Sequence, residues 1–188
     1  MYLSSIKAYL GEADEFNWNH GVALAAVGKY AEAEEALLRV RAPALANDPT
    51  LVSWLARCHI MCRRSRAAWE LYLKSAETGS GPAALALLRL IAGDCHATGQ
   101  FFVAALAYNV LERHGGGGEG VEEAWAGKLS SCAGVLQAVA AGVEQRECLR
   151  EVHAMLTASA GAAPLGSAVQ VQGEALARMM QRWAAAHK

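Results

Sequence analysis

Between residues 51 and 74 the inward positions of the chain fall in two short runs, each keeping the three- and four-residue steps of one helical face. Val52, Leu55, Ala56, His59 and Ile60 make the first run, and Ala68, Leu71, Tyr72 and Ser75 make the second, with Arg63, Arg64 and Arg66 at the turn between them. The pattern predicts two amphipathic helices joined by a basic turn. A hairpin this short cannot bury both of its seams against itself, so neighbours of the same design are expected on either side.

Shifting the chain by 35 and then 36 residues supplies them. Gly21, Gly28, Tyr30, Ala33 and Leu37 fall over Ala56, Arg63, Ser65, Ala68 and Tyr72, and these fall over Ala92, Gly99, Phe101, Ala104 and Tyr108. The spacing resembles the tetratricopeptide repeat, whose small positions let two antiparallel helices approach while its large ones fill the groove to the next hairpin. An irregular helical bundle has no reason to keep such a period. The expected fold is all-α, a tetratricopeptide-like α-solenoid of stacked antiparallel helix hairpins closed by a C-terminal capping helix.

In chain order, Tyr2, Leu3, Ile6, Tyr9 and Leu10 give residues 1–12 an apolar face with no partner helix before it, the expected remnant of an upstream repeat, with a cap folded back on the first hairpin as the alternative. Residues 13–113 hold three hairpins: 14–27 with 30–40, turning at Gly28; the central pair, after a connector bracketed by Pro43 and Pro49; and 83–113, turning at Gly99. A break at 78–82 separates the second hairpin from the third. A glycine-rich loop is expected over 114–120, a diverged fourth helix pair over 121–160 (122–142 with 145–159), a second loop over 161–166, and the capping helix over 167–188, with Val169, Leu176, Met180 and Trp183 along one stripe.

Composition narrows the function classes. A chain of 188 residues that is 54% hydrophobic can bury a continuous core. No run approaches the roughly 18 apolar residues of a membrane helix, and residues 1–10 carry no apolar stretch of signal-peptide length. Membrane insertion and secretion are therefore not expected. Seventeen basic against eighteen acidic side chains leave a net charge of −1, so no global field draws the chain to nucleic acid. Five cysteines at scattered positions fit reduced thiols of a cytosolic compartment better than a disulfide framework.

Chemistry-bearing motifs are scarce. The HGGGG run at 114–118 has the look of an esterase oxyanion loop, but no Gly-x-Ser-x-Gly elbow accompanies it. Gly127-Lys128-Leu129 lacks the hydroxyl and the preceding strand of a phosphate loop. Cys58, His59, Cys62, Cys95 and His96 group together as potential metal ligands, yet Cys95 and His59 occupy an inward repeat position where a packed side chain is expected. No catalytic residue, cofactor or metal is expected. The basic run Arg57, Arg63, Arg64 and Arg66 reads as solvated charge at a turn, with contact to an acidic partner as the alternative.

A solenoid docks partners on its inner helices. The inward-facing positions of those helices hold Glu15, Trp18 and Val22 in the first repeat, Ser53, Arg57, Ile60 and Met61 in the second, and Arg89 and His96 in the third. Trp18 is the expected aromatic anchor, and Arg57 and Arg89 the expected grips on carboxylates.

Four segments carry a closer likeness: FNWNHGVALAAVGKYAEAEE at 16–35, SWLARCHIMCRRSRAAWELYL at 53–73, LIAGDCHATGQFFVAALAYNVLER at 90–113 and WAGKLSSCAGVLQ at 125–137, with ECLREV at 147–152 and MMQRWAAAHK at 179–188. They resemble the tetratricopeptide-repeat subunit fifty-six of intraflagellar transport complex B, over nearly the whole chain and as its C-terminal part. The glycine- and alanine-rich loops and Arg63-Arg64-Ser65 depart from that family's pattern. The resemblance implies a non-catalytic scaffold that works in the cilium or flagellum and at its base, with a cytoplasmic pool. It further implies association with other complex B subunits, peripheral subunit forty-six among them, and carriage of motility-related axonemal cargo. The competing expectation is a cytosolic peptide-binding adaptor or co-chaperone. Clamps of that kind place lysine and asparagine where this chain has Trp18 and Val22.

Overall fold

The computed structural model describes residues 13–77, 81–114 and 119–187, with ten helices and no strand among them. The helix expected over 1–12 lies outside these residues, as do the tip of the break at 78–80 and the loop residues 115–118. In order the helices are α1 (Asp14–Ala26), α2 (Tyr30–Leu37), α3 (Pro43–Ala46), α4 (Pro49–Met61), α5 (Ser65–Glu77), α6 (Pro82–Ala97), α7 (Phe101–His114), α8 (Glu119–Ala140), α9 (Arg146–Ala162) and α10 (Ala168–Ala186). The fold is the all-α solenoid of helix hairpins that the period predicts.

One backbone geometry recurs at the three repeat turns. Gly28, Arg63 and Gly99 have φ of 81°, 62° and 73°, and each closes the same pair of hydrogen bonds onto the preceding helix. The amides of Lys29, Arg64 and Gln100 donate to the carbonyls of Leu24, His59 and Cys95, while those of Gly28, Arg63 and Gly99 donate to Ala25, Ile60 and His96. This is the left-handed helix stop in which the orphan carbonyls of the last turn are satisfied by the two residues beyond it.

Several boundaries differ from expectation. The helix expected over 30–40 stops at Leu37, because the Asp14 carboxylate accepts from the Arg41 and Ala42 amides at 3.0 and 2.8 Å and draws the chain away. The connector holds a turn of helix, α3, since Pro43 at its first position supplies helical φ and lacks only an amide that would be unpaired there. Beyond it the Asp48 side chain accepts from the amides of Thr50 and Leu51 and starts α4. Further along, α9 runs to Ala162, two residues into the expected loop.

The chain divides into two compact units, through Asp94 and from Cys95. In the first, α1 packs on α2, α2 on α4, and α4 on α5, around Leu24, Ala33, Leu37, Val40, Leu51, Leu55 and Cys58, with Tyr30 against this core. In the second, α7 packs on α8, α8 on α9, and α10 across α9 and α8, around Ala104, Val135, Val152, Leu156 and Met180. The small repeat positions are where the helices close. Ala33, Ala56, Ala68 and Ala104 have no exposed surface, Ala92 has 1%, and a Cβ on Gly21 would sit 2.7 Å from Leu37 Cγ. Tyr72 is buried, and Phe101 and Tyr108 are half-buried.

Candidate partner-binding surfaces

The expected docking residues divide into three groups. Trp18 and Val22 on α1 are half-buried, with the Trp18 ring packed against the core of the first unit, while Glu15 is exposed. On α4, Ser53 and Arg57 line a cleft of about 330 Å³ together with Thr50 and Trp54, and Ala86 and Leu90 of α6 face them. Arg89 is exposed on α6 outside that lining, and Met61 is half-buried.

One of the expected contacts is corrected, and a second is half-buried and engaged within its own unit. Ile60 has no exposed surface and belongs to the core. Its one-residue step from His59 puts it on the seam between α4 and its neighbours, because a helical face wide enough to pack on both sides takes adjacent positions. His96 is turned inward within the second unit, its Nδ1 3.0 Å from Ser131 Oγ and its ring edge-on to Phe101 and Tyr108 at 5.6 and 6.3 Å.

Much of the basic run is also paired internally. Arg57 Nε donates to Asp94 Oδ2 at 2.7 Å, and its guanidinium lies 5.7 Å from the centre of the Trp54 ring. Arg64 pairs with the buried Glu34 carboxylate, whose other oxygen lies 3.2 Å from His59 Nδ1. Trp54 was not among the expected docking residues, although its place three residues before Arg57 on one helix is the spacing that brings a ring under a guanidinium.

The potential metal ligands and the phosphate-loop lysine face other tasks. Cys58 and Cys95 have no exposed surface, and burial pushes the Cys58 thiol up to about 11, with Cys62 adding to the rise and Arg57 opposing it. No group of three His, Cys, Asp or Glu among the described residues is arranged to hold a metal. Lys128, fully buried in the middle of α8, gives its ammonium to Asn109 Oδ1, Glu112 Oε2 and Ser159 Oγ at 2.8, 2.8 and 2.6 Å, with the Met155 carbonyl at 3.3 Å. Ser159 Oγ in turn donates to Glu112 at 3.0 Å. A buried ammonium held by so many acceptors ties α7, α8 and α9 together, and deleting one partner of such a pair typically costs about 3–5 kcal/mol.

These surfaces offer recesses with a few polar grips. Comparison with known proteins gives the family context. The whole chain, residues 1–188, matches the family Intraflagellar transport protein 56. It is 33% identical over 140 residues to the Intraflagellar transport protein 56 homolog of Caenorhabditis elegans, a match covering 74% of this chain and 23% of that protein. The chain thus spans about a quarter of that relative's length. No solved structure is significantly similar to it.

Proposed function

The chain belongs to the intraflagellar transport protein 56 family, and from that membership we propose that it is the C-terminal part of a non-catalytic scaffold subunit of intraflagellar transport complex B. The observation that carries this is the family match over all 188 residues, supported by a run of hairpins held by one recurring turn. Stacked hairpins present long side-chain surfaces to partners. On this reading the subunit acts in the cilium or flagellum and at its base, exchanges with a cytoplasmic pool, binds the other complex B subunits including peripheral subunit forty-six, and helps bring motility-related axonemal proteins into the organelle.

Within the first unit the docking contacts proposed are Trp18, Val22, Met61 and Arg89 with the Ser53–Arg57 cleft. Arg89→Glu is the cleaner probe, since reversing Arg57 would also set a carboxylate against Asp94. The test is to recover the tagged natural protein from flagellated cells by size fractionation and affinity purification. Co-migration with a multi-subunit transport assembly is the expected result. Recovery with a single chaperone would replace the scaffold by the adaptor, and undiminished assembly of the Arg89→Glu protein would move the contact to another face.

A further inference from the structure

In the second unit, α9 and α10 leave a groove of about 540 Å³ between them. Its floor is apolar: Leu149 and Met180 from the packed seam, the half-buried Trp183, and the exposed Ala184. Its rim is basic, with Arg146 and Arg150 on the α9 side, and none of the described residues lining it carries a carboxylate. Glu147 and Glu151 do not line the groove, each lying roughly 100° or more around α9 from the middle of the lining face.

What marks this groove is two exposed arginines at the rim of a recess floored by an indole. Arg57, Arg64, Lys128 and Arg178 each meet a carboxylate, from Asp94, Glu34, Glu112 and Glu174, whereas Arg39, Arg41, Arg89 and Arg182, which like the two groove arginines have no carboxylate partner among the described residues, line no such recess. Arg146 and Arg150 are exposed, and no carboxylate among the described residues pairs with either. The Arg146 guanidinium instead lies 5.9 Å from the centre of the Trp183 ring, and His187 stacks on that indole at 4.5 Å. An aromatic floor framed by stacked, uncompensated guanidinium is the surface that recognises a carboxylate set beside an apolar side chain.

We propose that this groove binds an acidic amphipathic helix of a partner protein. Large apolar residues at i, i+3 or i+4 of that helix lie on the Trp183–Ala184 floor, and flanking glutamates or aspartates meet Arg146 and Arg150. A helix is favoured over an anionic membrane because the apolar surface is recessed between two helices, whereas membrane association uses a projecting apolar face flanked by many cations. The inference stands apart from the transport reading, since it follows from the chemistry of the groove.

The test is fluorescence anisotropy of the full chain with a labelled synthetic helix bearing Leu and Phe at i, i+3, i+4 and i+7 and glutamate elsewhere. A scrambled peptide and a lysine-for-glutamate peptide serve as controls. The glutamate helix should bind saturably and more weakly as salt rises, and Arg146→Glu with Arg150→Glu should weaken it roughly tenfold or more. Ala184→Gln, which narrows the floor without touching a charge, should weaken it too; unchanged circular dichroism melts show that the variants remain folded. Equal binding of either control peptide, or unchanged affinity in the double-arginine variant, overturns the proposal. Arginine-dependent binding to phosphatidylserine vesicles with no binding of the helix assigns the groove to lipid and overturns it. An arginine-dependent dimer in sedimentation does the same in favour of a second copy of the chain.

Discussion

Arg63 stands where Gly28 and Gly99 stand in the flanking repeats, and it carries their backbone without their freedom. The left-handed conformation costs an L-residue about 1–2 kcal/mol, and the extra disorder of glycine in the unfolded chain returns about 0.5–1 kcal/mol of that. Arg63→Gly should therefore gain roughly 0.5–1 kcal/mol at the backbone, offset by loss of the interactions that the Arg63 side chain makes, and the urea midpoint at unchanged slope reads the balance. Gly28→Ala is the mirror experiment. Nothing lies within 4 Å of a Cβ built there, so its expected net loss of about 1 kcal/mol is the left-handed backbone cost less the unfolded-chain disorder that glycine loses, with no steric clash added. A lower midpoint for Arg63→Gly would show that the side chain contributes more at this turn than the conformation costs. The repeat alignment places Arg63 over two glycines, so the geometry of this residue was legible in the sequence. The pairings of its neighbours were not, because Glu34 and Arg64 lie 30 positions apart and meet only when α2 and α4 pack.

At the scale of elements, α7 and α8 pack against each other through two glycines of α8. Phe101 lies over Gly134 and Tyr108 over Gly127, an antiparallel register in which two rings, seven residues apart, each rest on bare backbone. A Cβ on Gly127 would fall 2.4 Å from the Tyr108 ring. Gly127→Ala gains about 1 kcal/mol of helix propensity and meets an overpacking cost of about 1–3 kcal/mol. Both rings also pack edge-on with His96, so they have little room to shift, overpacking should win and the variant should lose roughly 1–2 kcal/mol. Tyr108→Leu added to Gly127→Ala should recover part of that loss in a double-mutant cycle on thermal or urea unfolding. Additive effects would show that ring and glycine do not meet. One side of this contact was readable in advance, since Phe101 and Tyr108 keep the repeat's aromatic and large positions. The roles of Gly127 and Gly134 were not, because a glycine within a helix looks like a weak point until its neighbour is known. The same limit explains Lys128: its place in a Gly-Lys dipeptide is visible, whereas its acceptors come from helices 16 to 31 residues away.

At the scale of the molecule, periodicity fixes which positions face another helix and is silent on which remain open to solvent. Fold class, turn positions and small-residue contacts could be read for that reason, while Ile60 was misplaced as a docking residue and the α9–α10 groove was not foreseen. The buried titratable groups that periodicity hides set the dependence of stability on pH. Burial raises the Cys58 thiol from 9.0 to about 11 and the Cys132 thiol from 9.0 to about 12, the latter opposed by Lys128 and aided by Glu112. It also raises the phenols of Tyr72 and Tyr108. A group whose pKa is higher folded than unfolded stabilises fully below the unfolded value, and that contribution is lost as pH rises through the folded one. Burial acts oppositely on His59, lowering it from 6.5 against an upward pull from Glu70. Arg64 already neutralises the Glu34 carboxylate beside it. A lowered histidine stabilises fully above the unfolded value, and its contribution is lost as pH falls below 6.5 toward the folded value. Stability carried by these groups should thus be level from about pH 6.5 to about pH 9 and fall on both sides. Urea midpoints measured across that range and beyond it test the shape. His59→Gln should flatten the acid limb, and Cys58→Ala with Cys132→Ala should flatten the alkaline limb while lowering the plateau through the cavities they leave. An acid limb that survives intact in the His59→Gln protein would assign the loss to carboxylates instead, and an alkaline limb untouched by removal of both thiols would assign it to the tyrosines.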